Sequence, residues 1–407
     1  MPDPGLLDPP TERPAPAPPP PGRGRMPRWV LGAGPLVLLV ALAALFLKAG
    51  PVGVFQQSFP PVEELTIERI SLPRTGLMRV DVVNGGPQAV TIAQVFVDQA
   101  SWVHSINGPR TIGRLQSRRI EIPYPWVAGE PHTVTLVSST GLTFSSTVPV
   151  AVQTPRADAR YLSTFALLGI YAGVVPVLIG LLWLPFLRRV ERRWLDFFLA
   201  LTIGLLVFLG VDALIEALDT SSLVSGAFQG QALVLLGAVG TPLLLAAFGA
   251  MRPRSGGAHS PLYVATLIAL GIGLHNLGEG LAIGTSYATG EIALGTFLVV
   301  GFLLHNTTEG LGIVAPLGQE QPRVAQLLGL GALAGVPTVI GAWIGGLAYS
   351  PVWTTLFFAV GAGAIAQVVI ELGRLLRRRG TTLSPLNVAG LLAGMLLMYL
   401  TGVAIPT

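Results

Sequence analysis

The sequence predicts a polytopic α-helical membrane protein, an eight-helix bundle preceded by one membrane anchor and a small all-β sandwich. Three observations carry that prediction. Of 407 residues, 51% are hydrophobic and only 11% charged, against about 25% charged in an ordinary soluble protein. Mean hydropathy is +0.65, and uncharged runs of about 20 residues, enough to cross a hydrocarbon core, recur through the second half. Nearer the N-terminus the pattern changes to short β-type segments separated by turn signals. This balance excludes a soluble enzyme. The chain has no cysteine, which removes disulfides, thiolate nucleophiles and Cys-ligated metal sites, so any metal must be held by nitrogen and oxygen. The basic pI of 9.7 does not point to nucleic acid, because the Lys and Arg residues fall largely beside hydrophobic runs and read as topology signals.

Residues 1–27 are dominated by proline and cannot bury enough apolar surface to offset their ordering entropy, so they are expected to be disordered. Residues 28–48 form the anchor. The run Trp29 to Leu47 is uncharged and follows Arg23, Arg25 and Arg28, which places the N-terminal tail in the cytoplasm; a cleaved signal peptide is the alternative. Either way the next segment, 52–155, lies outside. Its LTIERISL, LMRVDVVN, VTIAQVFV, RRIEIPY, HTVTLVSS and LTFSSTVPV segments predict six or seven strands in a small antiparallel sandwich, immunoglobulin-like in layout. Such a fold says nothing of function, and the sequence names no partner for it.

Residues 160–407 hold eight further apolar runs, near 161–187, 194–218, 229–250, 261–285, 292–316, 324–348, 352–376 and 386–405. Arg188, Arg189, Arg192 and Arg193 follow the first, Arg252 and Arg254 the third, Arg323 the fifth, and Arg374 with Arg377 to Arg379 the seventh. The intervening loops carry no Arg or Lys. This alternation puts the odd-numbered exits in the cytoplasm and leaves the C-terminus outside, with the β domain.

Ionisable groups at membrane depth are expensive, so each is a functional hypothesis. His275-Asn276-Leu277-Gly278-Glu279-Gly280 in the fourth run is repeated thirty residues later in the fifth as His305-Asn306-Thr307-Thr308-Glu309-Gly310. His and Glu four apart share one helical face, with Asn a step around. Two such helices joined by a short loop bring two imidazoles and two carboxylates together. That set suits a borderline divalent cation such as Zn²⁺, and the Asn carbonyls add harder oxygen ligands. The cation also offsets buried negative charge that no Arg or Lys in these runs can pair. The bland alternative is that each His and Glu pair merely ties helices together. Elsewhere, His104 and His132 show no ligand pattern and read as ordinary surface or core positions. The lone His259 sits in a short loop.

The two motifs resemble the fourth- and fifth-helix signatures of the ZIP (Zrt/Irt-like protein) divalent metal transporters, in particular the bacterial GufA-like branch. The resemblance implies an eight-span core over roughly 161–407 in a bacterial plasma (inner) membrane. It implies that His275, Glu279 and Glu309 bind the transported metal, with Asn276 and Asn306 at an adjacent second position and His305 at a less defined one. Asp212 and Glu216 look like the family's acidic stretch in the second helix. They read either as exit-path groups or as solvated interfacial charges. Glu371 looks like a terminal acid of the seventh helix, with pairing to Arg374 as the plain alternative. The chain departs from the pattern in three places. Gly278 and Thr308 stand where proline is usual, Thr338 stands where the sixth helix often has glutamate, and Leu205 or Leu206 stands where a methionine is often found. One-metal and two-metal sites both stay open.

The expected function is therefore uptake of a divalent cation, zinc first and Fe²⁺, Mn²⁺ or Cd²⁺ as alternatives, by alternating access, with no enzymatic activity. The other readings are a non-transporting metal sensor or binding protein working through its ectodomain, and an intramembrane metalloenzyme using one Glu as general base. The expected partners are the metal ion and the lipid bilayer. Gly-rich helix faces add a homodimer to the expectations.

Overall fold

The computed structural model describes residues 28–49, 62–154, 156, 158–250, 260–289, 292–348 and 350–403. The proline-rich tail 1–27, His259 and the loop bearing Arg252 and Arg254 lie outside the described residues. The chain divides into two compact units, Met1–Pro61 and Val62–Thr407. In the first, α1 (Arg28–Ala49) is a helix of 22 residues, about 33 Å long, with Leu36, Leu38 and Leu42 exposed.

The second unit begins with nine strands: β1 (Leu65–Arg74), β2 (Leu77–Asn84), β3 (Val90–Val97), β4 (Ala100–Ser101), β5 (Ser105–Ile106), β6 (Thr111–Ile112), β7 (Ser117–Ile122), β8 (His132–Ser138) and β9 (Thr143–Val148). They pair antiparallel into two sheets, β1-β2-β7-β5 and β4-β3-β8-β9, with β6 on β3. Period-two alternation builds the core. Met78, Val80 and Val82 of β2 and Ile120 and Ile122 of β7 point inward, as do Ile92 and Val95 of β3 and Val134 and Leu136 of β8. The outward residues of β7 pair with β2, Arg119 with Asp81 at 2.8 Å and Glu121 with Arg79 at 2.7 Å. The chain reverses from β3 to β4 through Asp98 and Gln99, both at positive φ (50° and 70°), the backbone that a two-residue hairpin of right-handed twist demands. Sequence reading misses β4, β5 and β6 because two residues cannot display alternation.

Among the described residues, eight helices long and apolar enough to cross a membrane follow. The first span, Ala159–Leu187, is interrupted: α2 (Ala159–Gly169), a π turn (Ile170–Val174), α3 (Val175–Leu181) and α4 (Leu184–Leu187). The others are α5 (Arg192–Ser221), α6 (Gly230–Ala250), α7 (Pro261–Thr289), α8 (Ile292–Val314), α9 (Val324–Ala348), α10 (Pro351–Arg378) and α11 (Pro385–Val403). The helices fall into two sets. α7 packs along α9, and the first span lies against α8 and α9; α10 packs on α5 and α6, and α11 on α5. The sets meet where α7 crosses α10.

Glycines set the α7 and α9 contact. A Cβ on Gly280 would stand 2.1 Å from the Thr338 carbonyl oxygen, and one on Gly341 2.2 Å from that of Leu277. Backbones in such contact fix the rotation of α7, and with it the direction of its polar face. At the opposite end, Asp196 is 4% exposed and accepts hydrogen bonds from Arg379 and Thr381. It therefore ties α5 to the segment after α10.

Candidate metal centre

On α7, His275 and Glu279 lie one turn apart with Nε2 to Oε1 at 3.4 Å. From α8, His305 reaches across so that its Nε2 hydrogen-bonds the same Glu279 oxygen. One nitrogen or oxygen from each of the three lies within 4.8 Å of the others. All three are buried, at 5%, 3% and 7% exposure. Two imidazoles thus face one carboxylate in the bundle interior, from adjacent helices whose sequences hold no Arg or Lys.

Asn276 and Asn306 are fully buried and point their amide nitrogens at neighbouring helices. Asn276 Nδ2 donates to the Ala334 carbonyl at 3.1 Å, on α9. Asn306 Nδ2 donates to the Ala172 carbonyl at 2.9 Å and to Glu279 Oε2 at 2.9 Å. The Ala172 carbonyl is available for a local reason. In a regular helix the residue four positions on would bond it, and that residue is Pro176, which has no N–H. The π turn and the proline are a signal that the sequence reading passed over.

Several buried polar atoms here have no hydrogen-bond partner: both ring nitrogens of His275, Oδ1 of Asn276 and Asn306, and both carboxylate oxygens of Glu309. Unsatisfied buried groups are rare in folded proteins, and each asks for an explanation. Glu309, 3% exposed, is not one of the three grouped residues. The donors are imidazole nitrogen, carboxylate and amide oxygen, which suit a borderline divalent ion. Ligands at about 2.1 Å from one ion lie within about 4.2 Å of one another, a separation that His275 and Glu279 already satisfy.

A cavity of about 1120 Å³ reaches this cluster. His275, Glu279 and His305 line it between the two helix sets, and Asp212, Glu216 and Thr220 of α5 line its other wall. Thr285 on α7 and Val403 on α11 also line it, at the ends of their helices. Thr338 is not among the lining residues; it is fully buried, with its hydroxyl beside Gly173 in the π turn. Glu371 accepts from Arg374 at 2.7 Å and from Gln367 at 3.2 Å. His132 is buried in the β domain, bonded through Nδ1 to Asp98 at 2.7 Å. His104 lies near the Trp102 carbonyl.

Eight apolar helices with an ionisable centre at membrane depth define a multi-pass membrane protein. The model of the family described as ZIP Zinc transporter matches residues 253–402, and that part of the chain, which carries both motifs, is similar to it. The first three spans and the β domain lie outside the matched segment. No curated protein matches the chain. Among solved structures, the archaellum periplasmic stator protein FlaG from Sulfolobus acidocaldarius is similar at 12% identity, covering 21% of this chain and 99% of that one, with a TM-score of 0.19. The FlaF and FlaG stator complex of the same organism is similar at 16% identity over 23% of this chain and 95% of that one, also at 0.19.

Proposed function

We propose that the protein carries Zn²⁺ into the cytoplasm by alternating access, with His275, Glu279 and His305 as the primary ligands and Asn276, Asn306 and Glu309 completing the site. The observation that carries this reading is the convergence of two imidazoles and a carboxylate at the foot of a cavity between two helix sets. A cation there answers the unpartnered nitrogens and oxygens and offsets two buried carboxylates. Mixed nitrogen and oxygen ligation also suits a carrier, which must release what it binds. Asp212 and Glu216 would draw the ion along the cavity wall. On this reading the β domain and the C-terminus face outside, and α1 anchors the chain with its tail in the cytoplasm.

Uptake into proteoliposomes tests the proposal. Wild type should accumulate Zn²⁺, whereas His275→Ala and Glu309→Ala should lose most uptake. Equal uptake by all three would overturn the site. Competition by Fe²⁺, Mn²⁺ and Cd²⁺ in the same assay ranks the metals, which ligand chemistry alone leaves close.

A further inference from the structure

Among the described residues, charged side chains of the β domain bond the helix bundle at two points, and the points belong to different helix sets. Arg69, on β1, donates through Nη1 to the Leu347 carbonyl at 2.6 Å and through Nη2 to the Gly346 carbonyl at 3.4 Å. These are among the last carbonyls of α9, which have no partner within the helix and carry the negative end of its dipole. Glu64, immediately before β1, accepts from the Gly226 N–H at 2.6 Å and from the Ser225 hydroxyl at 3.2 Å. Ser225 and Gly226 lie in the connection between α5 and α6. The approach is close enough that a Cβ on Gly85 would stand 1.7 Å from the Ser225 hydroxyl oxygen. Five residues of extended chain separate the two anchors, on the order of 17 Å.

α9 packs with α7 and the first span, whereas α5 and α6 pack with α10. The cavity runs between these sets, with α7 and α8 on one wall and α5, α10 and α11 on the other. Each anchor is a charged group bonded to backbone, and such bonds are among the stronger ones. We propose that β1 is a strap across this seam, holding the end of α9 at a set distance from the α5 to α6 connection and so keeping the cavity open at the β-domain end. Closure of that end requires at least one anchor to release. The idea deepens the alternating-access reading and assigns the β domain a part in it.

Because the chain has no cysteine, a single Ala282→Cys on the cavity wall gives an accessibility probe without background. Its rate of reaction with a membrane-impermeant maleimide needs no turnover, so a chain that moved no metal would still answer the question. With Arg69→Ala and Glu64→Ala combined, the rate should fall by roughly fivefold or more, the low end of couplings between separate sites. Arg79→Ala, which breaks a pair inside the β domain, should label like the parent. Equal labelling of the strapped and unstrapped proteins overturns the proposal, as does an equal fall with Arg79→Ala. If the double variant does not fold, Arg69→Ala alone, which frees the end of α9, should lower the labelling rate in the same direction. Labelling equal to the parent would overturn the strap.

Discussion

Asn306 donates an amide hydrogen to Glu279 Oε2 at 2.9 Å while the same nitrogen donates to the Ala172 carbonyl at 2.9 Å. The carboxylate at the heart of the cluster is thereby tied to the π turn of the first span. Asn306→Ala would free Glu279 and take from the buried Ala172 carbonyl the donor that Asn306 supplies, at a cost of about 1–3 kcal/mol. Loss of such an orienting partner typically weakens metal binding by roughly 10- to 100-fold. Zn²⁺ titration of the detergent-solubilised variant checks this, and an unchanged affinity would show that Asn306 does not orient the carboxylate.

Glu309 makes the opposite kind of prediction. Both its oxygens are buried without a hydrogen-bond partner, so in the metal-free protein burial makes its ionised form costly. Glu309→Gln should therefore raise the melting temperature of metal-free protein by about 2 °C or more, while shrinking the further rise that Zn²⁺ produces. A variant less stable without metal would assign Glu309 a structural role. Thermal scans with and without a chelator separate the two.

Much of the bundle is legible in the sequence because its signals are local. The span boundaries follow uncharged runs, and the repeat at His275 and His305 shows itself through spacing alone. What escapes is long-range. Nothing near Arg69 or Glu64 says that they meet residues 278 and 162 positions away. Pro176 is visible as a helix-breaking residue, but only the arrival of Asn306 shows where the freed carbonyl goes. Thr338, read as standing in for a glutamate, lies beside Gly173, whose missing Cβ leaves the room that its side chain takes.

The glycines of α9 divide by the same test. A Cβ on Gly341 would stand 2.2 Å from the Leu277 carbonyl oxygen, whereas nothing lies within 4 Å of one on Gly329. Gly341→Ala should push α9 off α7 and cost about 1–3 kcal/mol. Gly329→Ala should be neutral or stabilising by up to about 1 kcal/mol, since alanine is the better helix former. Detergent unfolding of the two variants in parallel checks the contrast, and equal effects would contradict the close approach.

Acid sensitivity of the β domain should centre on Asp98. Burial alone would push its carboxyl up, but hydrogen bonds from the Thr133 N–H, His132 and Tyr124 outweigh it and hold the carboxyl below the ordinary carboxylate value. Burial and that same carboxylate push the Tyr124 hydroxyl up to about 12. A depressed carboxyl stabilises the fold above its unfolded value, near 4, and that contribution is lost as pH falls through the lower folded value. Proteolytic protection of residues 62–154 should fall across that window in wild type. Asp98→Asn should be less protected at neutral pH and should lack the acid-dependent loss. Identical profiles would remove Asp98 from the account.

Asp212 and Glu216 line the cavity one helical turn apart on α5. Like charges at that spacing are unfavourable unless solvent or a cation compensates them, and the cavity gives a cation access to both. On the transport reading proposed above, their place on the wall facing the cluster would make them loading groups, raising the local cation concentration without holding the ion during the conformational change. Asp212→Asn with Glu216→Gln should therefore raise the apparent KM for Zn²⁺ uptake several-fold and leave the maximal rate within about a factor of two. Added salt should shrink the difference, because partly exposed charges are screened. The rival reading, that these acids serve the exit path, requires the reverse: a lower maximal rate at unchanged KM. Uptake measured over a range of Zn²⁺ concentrations at two ionic strengths distinguishes them, and the second pattern would move both residues from the loading step to release.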